Sequence, residues 1–103
     1  MTSKQVPQPE RDEIRVEAVL QALGEPVRLT IVRALADAPA GISCGELELP
    51  VTASTRAHHL KILREAGVVS THVEGTRRIS TLRRDDLEAL YPGLLTGVLS
   101  AKQ

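Results

Sequence analysis

The stretch that decides the fold runs from residue 52 to residue 82, TASTRAHHLKILREAGVVSTHVEGTRRISTL. Its first half predicts an α-helix over residues 53–66, because alanines and leucines recur at helical spacing between a capping threonine and a terminating glycine. Its second half predicts a β-hairpin, with β-branched strands over residues 68–73 and 76–82 around a Glu-Gly turn. A long amphipathic helix therefore leads directly into a hairpin.

The rest of the chain is predicted to be helical. Helices are expected over residues 12–23, capped by Asp12, and 26–36, with a proline in the first turn. A short third helix over residues 43–49 begins with Ser43 and Glu46 in capping-box spacing. A terminal helical region, capped by Asp85, is expected over residues 86–101 and is broken by a Pro-Gly pair.

This order of elements predicts a mostly α (α+β) winged helix-turn-helix domain with a two-stranded β-hairpin wing. At 103 residues the chain has room for one domain, which we place at residues 12–101 after a flexible tail at residues 1–11. Tyr91 is the one aromatic residue, so the core must be aliphatic. A polar N-terminus and the lack of any apolar run near 20 residues predict a cytoplasmic protein without a membrane partner.

Charge is unevenly distributed along a chain whose formal net charge is zero. Residues 56–84 carry seven basic and two acidic side chains, a local balance of +5. Such a segment suits a polyanion, although a basic segment is also often just a solvated surface. Charge alone leaves both interpretations open.

The helix over residues 53–66 has a polar face whose side chains suit DNA. Small and basic groups there can contact base edges and phosphates, as the second helix of a helix-turn-helix does in the major groove, while a wing lies along the backbone. For Arg56 the alternatives are a phosphate contact and an exposed side chain. The candidate DNA-binding residues are Ser54, Thr55, Arg56, His58, His59, Lys61, Arg64, Arg77 and Arg78.

The adjacent His58 and His59 raise the alternatives of a metal site or a catalytic pair. Neither is favoured, because adjacent helical residues point about 100° apart and no ligand or nucleophile lies at the required spacing. The alternative is that one of the two is half-buried against the core and the other lies on the surface. With no acid–base pair, phosphate loop or metal cluster in the sequence, we do not predict an enzyme.

Two segments resemble the ArsR/SmtB-type bacterial transcriptional regulators: LGEPVRLTIVRALAD (23–37), and STRAHHLKILREAGVVSTHVEGTRRISTL (54–82), which is similar to the recognition helix and wing of that family. The resemblance implies a homodimeric repressor that leaves its double-stranded DNA operator when an effector binds. It also implies DNA contacts at Ser54, Thr55, His58, His59 and the wing arginines.

The chain departs from the family at both familiar metal sites. Where arsenic and cadmium sensors often carry Cys-x-Cys-Asp-Leu, this chain has Ser-Cys-Gly-Glu-Leu at residues 43–47, and its last helix lacks ligands. We therefore predict no metal and no cofactor, and the effector is unknown. The single cysteine, Cys44, excludes an intramolecular disulfide and is expected to be a small buried residue, with a redox sensor as the alternative.

Surplus apolar residues on the first and last helices predict a two-fold dimer, although residues 92–101 could instead cover their own core. The predicted interface residues are Ile14, Val19, Leu20, Leu87, Leu90, Leu94 and Val98. The leading functional hypothesis is a repressor that binds a palindromic operator. The alternative is a winged-helix module that binds protein and has little affinity for DNA.

Overall fold

The computed structural model describes residues 6–101, which form five α-helices and a three-stranded antiparallel sheet of order β1-β3-β2. The helices are α1 (Val16–Leu23), α2 (Pro26–Ala36), α3 (Ala53–Ala66), α4 (Arg84–Leu90) and α5 (Leu94–Ser100), and the strands are β1 (Ile42–Ser43), β2 (Val69–Glu74) and β3 (Arg77–Leu82). The mostly helical α+β class is as predicted, and α2 and α3 have the predicted bounds.

The first helix begins later than predicted. Asp12 lies in a separate 3-10 turn, Arg11–Glu13, and α1 starts only at Val16. The intervening Ile14 and Arg15 have extended backbones, which places the Ile14 side chain in the core. Where the sequence predicted the first turn of a helix, the chain is extended and buries Ile14.

The predicted third helix is reduced to one 3-10 turn, Cys44–Glu46, and its capping box with Ser43 forms as expected. After this turn Leu47 is extended and buried. Just before it, β1 pairs with β3 through Ile42↔Ser80 and Ser43↔Ile79. The sheet therefore has three strands where the sequence predicted a two-stranded hairpin.

The wing is the β2–β3 hairpin, residues 69–82, in which Thr71 pairs with Ser80 and Val73 with Arg78. Its base packs against α3, where Val69 joins the buried leucines of that helix in one apolar core. The Thr71 and Ser80 hydroxyls are buried 3.4 Å apart and satisfy each other. The wing is consequently fixed to α3 at its base and extends from the domain at its tip.

Residues 6–10 of the predicted flexible tail lie along the outer edge of β2. Val6 is buried, and the Gln8 side chain accepts from the Thr71 N–H (2.9 Å) and donates to the Thr71 carbonyl (3.3 Å). Arg83 donates to the Pro9 carbonyl. This part of the chain is held by packing, contrary to the prediction, and residues 1–5 of the predicted tail lie outside the described residues.

The C-terminal region forms two helices separated at Pro92-Gly93, as predicted. The first of them starts at Arg84, with Arg83 and not Asp85 at its N-cap. Tyr91, between the helices, donates from its hydroxyl to the Ile14 carbonyl and so ties this region to the start of α1. In the second helix, α5, Leu95 is buried in the core.

The predicted dimer residues divide into two groups. Ile14, Val19 and Leu87 are buried in the core of the single chain, so their assignment to a subunit interface is wrong. The apolar spacing from which these residues were predicted is ambiguous, because residues of a core and of a subunit interface follow the same spacing. The residues that retain exposed surface are Leu20, Leu90, Leu94 and Val98.

Candidate nucleic-acid interface

The N-terminal half of α3 presents a polar surface that is fixed in place by its cap. The Thr52 hydroxyl accepts from the Thr55 backbone N–H at 3.1 Å, which satisfies one of the free N–H groups of the first turn. Thr52 also donates to the Thr55 hydroxyl at 2.9 Å. Because Leu60 and Leu63 are buried, the orientation of the helix about its axis is set by the core.

The structure brings six of the predicted contact residues to the surface around α3 and the wing. Ser54, His58 and Lys61 are exposed on α3, and Thr55 is half-buried beside them. Arg77 and Arg78 are exposed on the wing, at the start of β3. No carboxylate lies on α3 before Glu65, so this end of the helix is free of negative side chains.

His59 does not belong to this surface. It is buried against α2, with Nδ1 3.2 Å from a guanidinium nitrogen of Arg28 and Nε2 3.5 Å from a carboxylate oxygen of Glu25. Because arginine can only donate, Nδ1 accepts and the ring proton faces Glu25. The prediction of a DNA contact at His59 is therefore wrong, and the interpretation of one buried and one exposed histidine is confirmed.

Glu25 links this histidine to the start of α2. Its carboxylate accepts from the backbone N–H groups of Val27 and Arg28, and so caps the helix. Burial raises the pKa of Glu25, but these hydrogen bonds and the neighbouring His59 and Arg28 side chains outweigh it, so the pKa lies below its usual value. Sequence analysis missed this link between α2 and α3.

Arg56 and Arg64 point away from the outward surface of α3. Both line a cavity of about 180 Å³ between α3 and the wing, and Arg56 donates to the Leu47 carbonyl at 3.3 Å. Arg56 is thus half-buried and not simply exposed, and its contact with a phosphate stays a prediction. The cavity also includes Cys44, which is half-buried against the core.

The wing carries one ion pair and one histidine–carboxylate contact besides Arg78. Arg77 lies 3.3 Å from Glu46, and His72 lies 2.7 Å from Glu74 near the tip. Both pairs are largely exposed, so they restrain the side chains weakly. The side chain of Arg78 has no ion pair or hydrogen bond within residues 6–101.

His58 and His59 face different surroundings, with ring centroids 5.9 Å apart and planes tilted by 57°. Within residues 6–101 no group of three or more His, Cys, Asp or Glu side chains is arranged to hold a metal ion. The chemistry of the surface is that of neutral hydrogen-bonding groups and cations.

Residues 23–72 match the family model of a helix-turn-helix domain. The chain is also 34% identical over 86 residues to the HTH-type transcriptional regulator YceK of Bacillus subtilis, a match that covers 82% of this chain and 85% of YceK. The chain belongs to the HTH-type transcriptional regulators. The family binds DNA, and the regulator described here is accordingly a DNA-binding protein and not an enzyme.

Two further comparisons extend this assignment. The regulator is 35% identical over 92 residues to the biofilm growth-associated repressor of Agrobacterium fabrum, covering 84% of this chain and 77% of the repressor. Its fold is similar to the crystal structure of an ArsR family transcriptional regulator (TM-score 0.67, 20% identity, 85% of this chain and 92% of that one). At fold level, the resemblance to the ArsR/SmtB type is confirmed. No helix within residues 6–101 is long and apolar enough to cross a membrane.

Proposed function

We propose that this regulator is a sequence-specific repressor of the ArsR type, which binds a palindromic double-stranded operator as a homodimer. The observation that carries the proposal is the pairing of an exposed polar N-terminal half of α3 with a basic wing. Such a regulator acts in the cytoplasm, where its operator lies. Its repressor activity is supported by the similarity to the Agrobacterium repressor.

Within this proposal α3 enters the major groove. Ser54, Thr55 and His58 are the side chains nearest the capped N-terminus that can contact base edges. Lys61 and the wing residues Arg77 and Arg78 neutralise phosphates, which contributes affinity without selecting sequence. Arg56 and Arg64 are left out of this set because they line the cavity between α3 and the wing.

The proposed dimer uses the apolar surface that the single chain leaves uncovered. Val16 and Leu20 on α1 are 42% and 51% exposed, and they are the two large apolar side chains that stay exposed within residues 6–101. Leu94 and Val98 on α5 are half-buried and contribute to the same predicted interface. A two-fold axis through this interface would place two α3 helices in successive major grooves about 34 Å apart.

The decisive experiment compares binding of the purified protein to the DNA just upstream of its own gene and to an unrelated fragment of equal length. Each fragment is titrated at about 50 and 200 mM salt, and the mass of the free protein is measured by light scattering. We expect a dimer that prefers the upstream fragment and loses at least tenfold in affinity at the higher salt. A folded protein with no measurable affinity for either fragment would favour the protein-binding module instead.

A further inference from the structure

The cavity between α3 and the wing is lined by three cationic side chains and by no acidic one. Its volume is about 180 Å³, somewhat larger than an engineered 150 Å³ cavity that holds benzene. It therefore has room for about six non-hydrogen atoms. The polar residues that line it are Arg56, Arg64, Arg78, Thr71, Ser80 and Cys44.

The hydrogen bonding of these arginines is incomplete. The Nε atom of Arg64 is fully buried and has no partner among residues 6–101. The Arg56 side chain donates once, to the Leu47 carbonyl, and the Arg78 side chain makes no hydrogen bond or ion pair within the described residues. Thr71 and Ser80 already pair with each other and do not satisfy the guanidinium groups.

The side chains of other arginines in residues 6–101 are paired with a carboxylate or a carbonyl. Arg11 and Arg83 pair with Asp86, and Arg84 donates to a backbone carbonyl. A buried guanidinium nitrogen without a partner costs on the order of a hydrogen bond, so an unpaired one beside two more cations requires an explanation. A bound anion would supply the missing acceptors.

We propose that this arginine cavity binds an oxyanion of the phosphate type. The planar guanidinium donors match the oxygens of a tetrahedral anion, and the buried Nε of Arg64 has no other acceptor within the described residues. Arg56 and Arg64 belong to α3 whereas Arg78 belongs to the wing. An anion held by all three ties the wing to α3 and, given the proposed function, changes operator affinity.

The same oxyanion chemistry can come from a free ion or from a phosphate of the DNA backbone. The first arm of the test uses no DNA. Sodium phosphate and sodium sulfate are titrated into ¹⁵N-labelled protein against sodium chloride of equal ionic strength, and the Arg64 Nε–H resonance is followed. We expect a saturable shift with phosphate or sulfate only, together with a rise in the thermal midpoint.

The matched variants are Arg64→Met and Arg84→Met, which remove the same charge inside and outside the cavity. We expect Arg64→Met to weaken phosphate binding by about tenfold or more and Arg84→Met to leave it unchanged. Arg78→Met is a second test of the cavity. Arg78 is exposed, so loss of its side chain does not threaten folding. Phosphate binding to this variant is followed at the Arg64 Nε–H.

The second arm separates the two sources. If free anions have no effect but a DNA duplex shifts the Arg64 resonance, and Arg64→Met lowers DNA affinity more than Arg84→Met does, the oxyanion is a backbone phosphate. If neither free anions nor DNA affect Arg64, the proposal is overturned. Failure of operator recognition alone would leave the first arm intact and would count against the proposed function only.

Discussion

Gly67 ends α3 in a backbone conformation that other residues adopt only with strain. Its φ of +87° is left-handed, and a Cβ at this position would lie 2.5 Å from Cγ1 of Ile14. The sequence predicted the glycine stop but not the contact with Ile14, because that contact joins residues far apart in the chain. The spacing of residues along the sequence does not reveal such a contact between two distant segments.

Replacing Gly67 by Ala should therefore lower the free energy of unfolding by about 2 kcal/mol or more, from left-handed strain and the clash with Ile14. Gly97→Ala is the matched control, since a Cβ there meets nothing within 4 Å and the position is helical. That control should be neutral or stabilising by up to about 1 kcal/mol. Urea denaturation measures both, and equal stabilities would contradict the steric account.

Ser54 is an exposed residue in the first turn of α3. We expect Ser54→Ala to change sequence preference by about 1 kcal/mol at one or two operator positions, because it removes a donor from the base-contacting end of the helix. Competition binding with single-base operator variants measures this. Ser100→Ala, on α5, is the control, and identical preferences in both variants would exclude Ser54 from recognition.

At the scale of elements, the segments with strong local signals were predicted and those that depend on distant partners were not. The capping residues and apolar spacing of α2 and α3 lie within the elements themselves, so their bounds follow from the sequence. Strand β1 has only two residues and exists because β3 lies beside it. Likewise the inward turn of His59 depends on Glu25 and Arg28 of another helix.

The two arginines of the wing should contribute to DNA affinity and little to the free energy of unfolding. Replacing Arg77 and Arg78 together by Ala should weaken binding to specific and unrelated DNA alike by about tenfold or more, and should lower the salt slope by about one for each lost phosphate contact. The exposed Arg77–Glu46 pair is worth at most about 1 kcal/mol, so unfolding should change little.

Anisotropy titrations at several salt concentrations measure the effect of the wing. Arg33→Ala/Arg84→Ala removes the same charge away from α3 and the wing, and should retain most of the affinity. If both double variants lose affinity equally, general charge and not the wing accounts for binding.

Asp86 joins the N-terminal turn to α4. The Arg11 hydrogen bond lowers the pKa of Asp86, and Arg83 adds to this against the opposing effect of burial. A depressed pKa means that the stabilisation is present above the ordinary value of 3.8 and is lost as pH falls through the folded-state value. Asp86→Asn should thus be less stable than wild type by about 1 kcal/mol at neutral pH.

The stability difference between wild type and Asp86→Asn should shrink below about pH 4, where the wild-type carboxyl also becomes neutral. Urea unfolding from pH 7 to pH 3 tests this expectation. Asp85→Asn, an exposed neighbour, is the control and should follow wild type throughout. A difference that stays constant with pH would show that the Asp86 charge is not responsible.

On the scale of the whole molecule, the described chain completes its own core and still leaves Val16 and Leu20 exposed on α1. The sequence correctly indicated surplus apolar surface, but spacing alone did not separate it from the core. Three of the seven predicted interface residues are buried within the chain. The remaining surface is where we propose that the second copy binds.

Leu20→Glu should abolish the proposed dimer, because it would bury an unpaired charge at the interface on each side of the two-fold axis. Operator affinity should fall by about a hundredfold or more as the two half-sites become independent. Light scattering and anisotropy measure the two effects. Gln21→Glu adds the same charge to the adjacent exposed position, and dimers of equal stability in both variants would place the interface elsewhere.

The two hydrogen bonds between the Gln8 side chain and Thr71 have a consequence for the behaviour of the protein at high concentration. Strand β2 lies at the border of the sheet, and unpaired backbone groups at such a border are a template on which strands of other molecules can add. The Gln8 amide occupies this template with one donor and one acceptor. A strand of another molecule would have to displace Gln8 before it could pair with Thr71.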